Sequence, residues 1–258
     1  MKGNNKMATE EIKTHWNASK DEQTLRQNFF ELFQKCPIPG NEVLMNLPLF
    51  IKRQDLSCLL FMNELYKKIL GVHGVIMEFG VRWGRNMALF ENLRGLYEPF
   101  NHNRKIIGFD TFDGFPAVNP KDGKDDIIKA GSFNVTDNYD EYLDQVLAYH
   151  EQESPIAHIK KYEIVKGDAS EQILQYLDQH PETIVSLAYF DFDIYEPTLN
   201  CLKAISKRLT RGSVIGFDEL NVQRYPGETV ALTEVFGLDR YKIHHNIYSP
   251  TQSYIVIE

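Results

Sequence analysis

Two short stretches place carboxylates where they could hold a cation or move a proton. Asp191-Phe192-Asp193-Ile194-Tyr195-Glu196-Pro197 closes residues 183–192, a strongly apolar run that reads as a buried strand. Asp218-Glu219 follows a second apolar run, residues 213–217. If the first strand continues through Asp193, alternation puts Asp191 and Asp193 on the same side. Adjacent strand ends would bring Asp191, Asp218 and Glu219 within reach of one point. Like charges held that close repel, so a cation or shifted pKa values must compensate. Hard carboxylate oxygens with no cysteine beside them favour Mg²⁺, Mn²⁺ or Ca²⁺ over zinc. Such a metal binds an acceptor hydroxyl and lowers its pKa, as zinc takes bound water from about 15.7 to about 7. Asp193 is then the candidate general base. Plainer readings stand beside these: Asp193 as a helix cap, Asp218-Glu219 as a solvated loop.

A second set of residues fits a bound cofactor. Glu78-Phe79-Gly80-Val81-Arg82-Trp83-Gly84 closes one strand and opens a helix. Its glycines permit a tight turn and close backbone approach. The spacing is Glu-x-Gly-x-x-x-Gly, so the dinucleotide fingerprint is absent. An acid beside a glycine turn suits a cofactor with a cationic amino-acid end and no pyrophosphate. Asp110, followed by Thr111, ends the next strand, where an acid can accept both hydroxyls of a ribose. Gly167-Asp168-Ala169-Ser170 ends the third, where Asp168 can accept from an adenine amino group, cap the following helix, or do both. Any one of these acids could be an ordinary cap, but three in order at strand ends are much harder to obtain by chance.

The elements that must hold these residues alternate. Strands are expected over 74–80, 104–110, 162–167, 183–192 and 213–217, with helices over 86–97, 140–149, 170–177, 197–209 and 228–236. Residues 241–243 are expected to pair with 253–257. This implies a mostly parallel sheet with an antiparallel terminal hairpin, and every motif above on its carboxyl rim. Residues 116–138 read as a long functional or mobile loop. Apolar residues at helical spacing over 21–35 and 55–70 precede the first strand. Residues 1–70 are therefore an N-terminal helical extension, a lid or dimer contact, ahead of a main domain over 71–258. Tyr225-Pro226-Gly227-Glu228-Thr229 either shapes an acceptor pocket or starts a helix. His244 and His245 read as sheet and surface residues rather than ligands.

The 258-residue chain carries 28 Lys and Arg against 36 Asp and Glu, a formal charge of −8. That balance disfavours a nucleic-acid partner, as does the lack of an Asn-Pro-Pro-aromatic signature. Three scattered cysteines, Cys36, Cys58 and Cys201, read as reduced, buried thiols. With no signal-type or membrane-length apolar run, a cytoplasmic protein with no membrane partner is expected.

Four of these stretches together carry a resemblance: Met77-Glu78-Phe79-Gly80-Val81, Gly108 through Pro116, Asp191 through Thr198, and Phe217-Asp218-Glu219. They resemble the macrocin O-methyltransferase (TylF-like) family, and within it the O-methyltransferases of dTDP-6-deoxyhexoses. The match covers about residues 55–258. It implies a class I methyltransferase (Rossmann-like) α/β fold and methyl transfer from S-adenosylmethionine to a sugar hydroxyl. The sugar would be nucleotide-linked or glycosidic, in natural-product or surface-glycan biosynthesis. A divalent metal, usually Mg²⁺, is implied as well; a homodimer is expected from the N-terminal helices, which serve as a lid, a dimer face, or both. By motif position Asp191, Asp218 and Glu219 match the metal ligands, and Asp193 the base. Glu78, Gly80, Gly84, Asp110, Thr111, Asp168, Ala169 and Asp191 form the expected cofactor set. Many relatives have Gly-Gly before the last strand and Asp-Asp after it; here Arg211-Gly212-Ser213 and Asp218-Glu219 stand instead. Two other readings remain: an O-methyltransferase of a phenol or polyketide, and a non-catalytic S-adenosylmethionine-binding protein.

Overall fold

Residues 17–258 are described by a computed structural model. Its strands are β1 (Val75–Phe79), β2 (Ile106–Asp110), β3 (Tyr162–Lys166), β4 (Val185–Phe190), β5 (Leu209–Phe217), β6 (His244–His245) and β7 (Ser253–Val256). They form one seven-stranded sheet in the order β3-β2-β1-β4-β5-β7-β6. The first five are parallel, and β7 runs antiparallel to both β5 and β6. Near-continuous apolar sequence in β1, β2 and β4 fits strands covered on both faces. On one face lie α6 (Ala169–Gln179), α7 (Tyr195–Ile205) and α8 (Gly227–Phe236). On the other lie α3 (Arg53–Lys68), α4 (Arg85–Tyr97) and α5 (Tyr139–Glu153).

A row of four phenylalanines crosses the sheet just beneath its carboxyl rim. Phe109, Phe79, Phe190 and Phe217 occupy matching register positions on β2, β1, β4 and β5. Their rings stack at centroid distances of 5.1, 4.6 and 5.5 Å along the row, and all four are fully buried. Each buried ring contributes about 1.5–3 kcal/mol by leaving water. A one-residue slip would turn a ring to the opposite face. The row therefore fixes the register of the residues that follow it: Gly80, Asp110, Asp191 and Asp218.

The N-terminal segment divides in two. Helix α3 sends Phe61, Met62, Leu65 and Tyr66 into the core beside Ile76, Leu187 and Val214. Before it come α1 (Lys20–Gln34), α2 (Gly40–Val43) and a 3-10 segment, Leu44–Phe50. Ser19 opens α1 with a capping box closed by Glu22. None of these three elements buries a residue, although Phe29 and Phe33 pack on Phe50. Leu25, Phe30, Leu32, Met45 and Leu49 stay exposed. Residues 1–16 of the expected extension lie outside the described residues.

Several expectations shift. Strand β4 stops at Phe190 rather than 192. Residues 241–243 form no strand; His244–His245 pairs with Ser253 and Tyr254 instead. The His244 ring stacks on Tyr254 at 4.8 Å, while Tyr241 turns edge-on to Phe236. Of the three cysteines, all free, only Cys201 is fully buried. No helix among the described residues is long and apolar enough to cross a membrane.

Candidate functional site

The carboxyl rim carries a cleft open to solvent on one side. Gly80, Asp110, Thr111, Asp168, Ala169, Asp191 and Asp193 line it, with Arg82, Phe115, Phe133 and Phe192 among the other walls. Of the residues expected at the site, Glu78, Gly84, Asp218 and Glu219 do not line this cleft.

Its floor is the turn after β1. Gly80 has φ +96°, and a Cβ there would overlap the Asp191 carbonyl. Only glycine lets the two strand ends approach this closely. The turn is held by Asp110: its Oδ2 accepts from the Arg82 amide at 2.7 Å and its Oδ1 from the Phe112 amide at 2.6 Å. Asp168 caps α6 by accepting from the Ser170 amide at 2.8 Å and still faces the cleft, so the two readings of this residue coexist. Glu78 is buried beneath the turn. Asn86 donates to its Oε1 at 3.0 Å, its Oε2 has no partner, and burial pushes its pKa up to about 8.

The acidic half gathers two turns from neighbouring strands. The Asp191 amide donates to the Phe79 carbonyl at 2.8 Å, and the Asp218 amide to the Phe190 carbonyl at 2.9 Å. These bonds carry the sheet ladder into the turns. Alternation does not set the relation of Asp191 to Asp193, because the strand has ended and Asp193 sits at φ +61°. A non-glycine residue in that region is strained and persists only where its surroundings hold it. Burial and the neighbouring charges of Asp218 and Asp193 push Asp191 well above the usual carboxylate range. Burial raises Asp193 to about 6, an effect offset by a hydrogen bond from Glu219. Glu219 is itself pushed well above the usual carboxylate range by burial and the Asp193 charge. The Tyr189 hydroxyl and Gln252 Nε2 both donate to Asp218 Oδ1, at 2.6 and 2.8 Å. Among the described residues, no three His, Cys, Asp or Glu side chains stand in an arrangement ready to hold a metal ion.

Glu228, an unassigned member of the Tyr225–Thr229 stretch, joins the two turns. Fully buried on α8, it accepts from the Phe192 amide at 3.3 Å and the Glu219 amide at 3.1 Å. An acid in the first turn of a helix reads as ordinary dipole matching, so nothing local marks this one. Gln252, Tyr189 and Arg82 were missed for a similar reason, since each acts through a partner distant in sequence. Arg82 carries its guanidinium over the Phe133 ring at 5.1 Å, where burial lowers its pKa and the charges of Asp191, Asp193 and Asp110 oppose the fall.

No protein-family model matches the chain, and no curated protein matches it. Among solved structures it is similar to CalS11, the calicheamicin methyltransferase, with 42% identity, a TM-score of 0.90 and coverage of 96% of each chain. A second structure is the apo form of CalS11, described as a TDP-rhamnose 3'-O-methyltransferase in calicheamicin biosynthesis. It gives 38% identity and a TM-score of 0.82, over 96% of this chain and 99% of that one. The chain belongs to the sugar O-methyltransferase family. It is an S-adenosylmethionine-dependent O-methyltransferase of class I fold. The O-methyltransferase NovP shares that fold, with a TM-score of 0.58 over 78% of this chain at 15% identity.

Proposed function

We propose that this O-methyltransferase methylates a hydroxyl of a nucleotide-linked sugar in natural-product biosynthesis, with Asp193 as general base. The observation that carries the reading is the turn at Asp193. It faces the cleft, keeps a carboxylate that is largely ionised near neutrality, and is held in a strained conformation by its surroundings. The sugar acceptor rests on the similarity to CalS11, whose substrate is TDP-rhamnose.

In the cleft, Asp110 would accept the ribose hydroxyls and Asp168 the adenine amino group, with Thr111 and Ala169 beside them. Gly80 admits the cofactor against the backbone. Glu78 and Gly84 lie off the cleft and act by shaping the turn, Glu78 through Asn86. When bound, S-adenosylmethionine supplies an electrophilic methyl group on a positively charged sulfur. Asp193 would take the proton of the acceptor hydroxyl as its oxygen receives the methyl group. Holding donor and acceptor in line is the main service of the walls.

A divalent cation belongs to the same reading. The hard oxygens of Asp191, Asp218 and Glu219 suit Mg²⁺, Mn²⁺ or Ca²⁺, and the mutual repulsion of these acids together with the unpartnered Glu219 Oε2 supports a cation there. Those three residues would hold it, and it would lower the pKa of the acceptor hydroxyl. We take residues 1–70 as an extension to the domain at 71–258. The exposed apolar side chains of α1 and the 3-10 segment support its use as a lid or homodimer contact.

The test is methyl transfer to a panel of nucleotide sugars and phenols, with and without chelator. Reaction of phenols alone would remove the sugar acceptor. Full activity in excess chelator, with no metal by elemental analysis, would remove the cation.

A further inference from the structure

We propose that Asp122 is a positioning residue that sets the Asp193 turn from the loop at 116–138. The proposal rests on Asp193 being the base. Residues 116–138 are fastened by a capping box in which Asn119 and Asp122 bond each other's amides. Asp122 is 1% exposed. Its Oδ2 accepts from the Asn119 amide at 2.5 Å, and its Oδ1 accepts from the Tyr195 amide at 2.5 Å, 73 positions along the chain.

Tyr195 is the first residue of α7, two beyond Asp193. The N-cap of that helix, Ile194, supplies no side-chain cap, so Asp122 satisfies an orphan amide that the local sequence leaves open. The other side of the turn is closed by Gly227. A Cβ there would lie 2.6 Å from the Tyr195 nitrogen and 3.0 Å from the Asp193 carbonyl oxygen. Thr198 Oγ1 donates to the Ile194 carbonyl at 2.7 Å. Asp193 is thus held at φ +61° between a carboxylate from the loop and the backbone of α8.

The same loop region supplies Phe115, Pro116 and Phe133 to the cofactor wall. Outer ties hold it as well: Lys121 Nζ reaches Glu234 at 2.6 Å, and Asp125 pairs with Arg224. Of these three loop ties, Asp122 is the one that bonds backbone next to the Asp193 turn. The wall that faces the cofactor and the turn that carries the base are therefore two ends of one connection.

The experiment compares Asp122→Ala, Asp122→Asn, Asp125→Ala and Asp193→Asn in the full chain. It reads kcat on the nucleotide sugar the panel identifies, S-adenosylmethionine affinity by calorimetry, and amide exchange over residues 193–198. Asp122→Ala is expected to lower kcat on the order of tenfold to a hundredfold, with cofactor affinity held within about threefold, and to expose 193–198 to exchange. Asp122→Asn recovers part of kcat, because its carbonyl oxygen can still accept from Tyr195. Asp125→Ala cuts an outer tie and keeps wild-type turnover. Wild-type kcat in Asp122→Ala would overturn the proposal, as would equal losses in Asp125→Ala. A parallel fall of kcat and cofactor affinity would reduce Asp122 to a structural cap and also overturn it. Full turnover in Asp193→Asn would remove the base reading, leaving the exchange result to judge the contact on Tyr195.

Discussion

A buried acid far from the carboxyl rim offers a clean test of the electrostatic reasoning. Glu91, on α4, is 0% exposed, and neither of its carboxylate oxygens has a hydrogen-bond partner. Burial raises its pKa from 4.5 to about 8; Arg94 and Lys161 oppose the rise and Glu151 adds to it. Below pH 4.5 both folded and unfolded chains hold the proton, and stability is at its fullest with respect to this group. Between 4.5 and about 8 the unfolded chain has released it and the folded chain has not. Unfolding then becomes easier by about 1.4 kcal/mol for each pH unit. Over the whole interval this amounts to about 5 kcal/mol at most. Glu91→Gln removes the titration and nearly preserves the shape, so any cost of its amide is independent of pH. Urea unfolding of both proteins between pH 5 and 8 reads the difference. The wild type should lose stability relative to Glu91→Gln with a slope near 1.4 kcal/mol per unit. Parallel stability curves would refute the assignment of an unpaired, protonated carboxyl to this position.

Three further outcomes are expected. Asp193→Asn should lose about 10²–10⁴ of kcat while calorimetry finds cofactor affinity almost unchanged; turnover near wild type would dismiss the base. Gly80→Ala demands a positive φ and overlaps the Asp191 carbonyl, so thermal denaturation should show a loss of more than about 1–2 kcal/mol, with weaker cofactor binding. Unchanged values would mean the turn relaxes freely. Phe190→Ala opens the middle of the ring row and should cost about 3–5 kcal/mol, read by chemical unfolding, and a loss below 1 kcal/mol would show that the row does not support the rim.

What could be read from the chain alone follows the range of the forces involved. Alternating apolar runs placed β1 to β5 and their helices, because strand and helix periodicity are local properties. The acids at the strand ends were visible for the same reason: each directly follows its apolar run. Asp193 shows where local reading stops. Alternation assumed a continuing strand, whereas the chain turns through a positive φ at Asp193, between Phe192 bonded by Glu228 and Tyr195 bonded by Asp122, both distant in sequence. The hairpin shows it again, since Tyr241 is as good a strand former as His244, and ring packing on Phe236 and Tyr254 decided between them. Residues 40–50, broken by Pro48, gave no periodic signal, yet form a short helix and a 3-10 segment.

The acidic cluster shows how the fold carries a local electrostatic cost for function. Burial first, and then neighbouring carboxylate charges, push the pKa values of Asp191, Asp193, Glu219 and Glu228 upward, so gathering these acids here works against folding. Two devices oppose that repulsion. The stacked row Phe109-Phe79-Phe190-Phe217 spends no polar group and fixes where each strand ends. Above it, Glu228 takes one amide from each acidic turn, which holds the turns together through backbone rather than through their own acidic side chains. This division leaves the Asp193 carboxylate facing the cleft and Glu219 Oε2 without a partner. Had the turns been joined by ion pairs between their own carboxylates and basic residues, the same stability would have consumed the carboxylates that now stand at the rim.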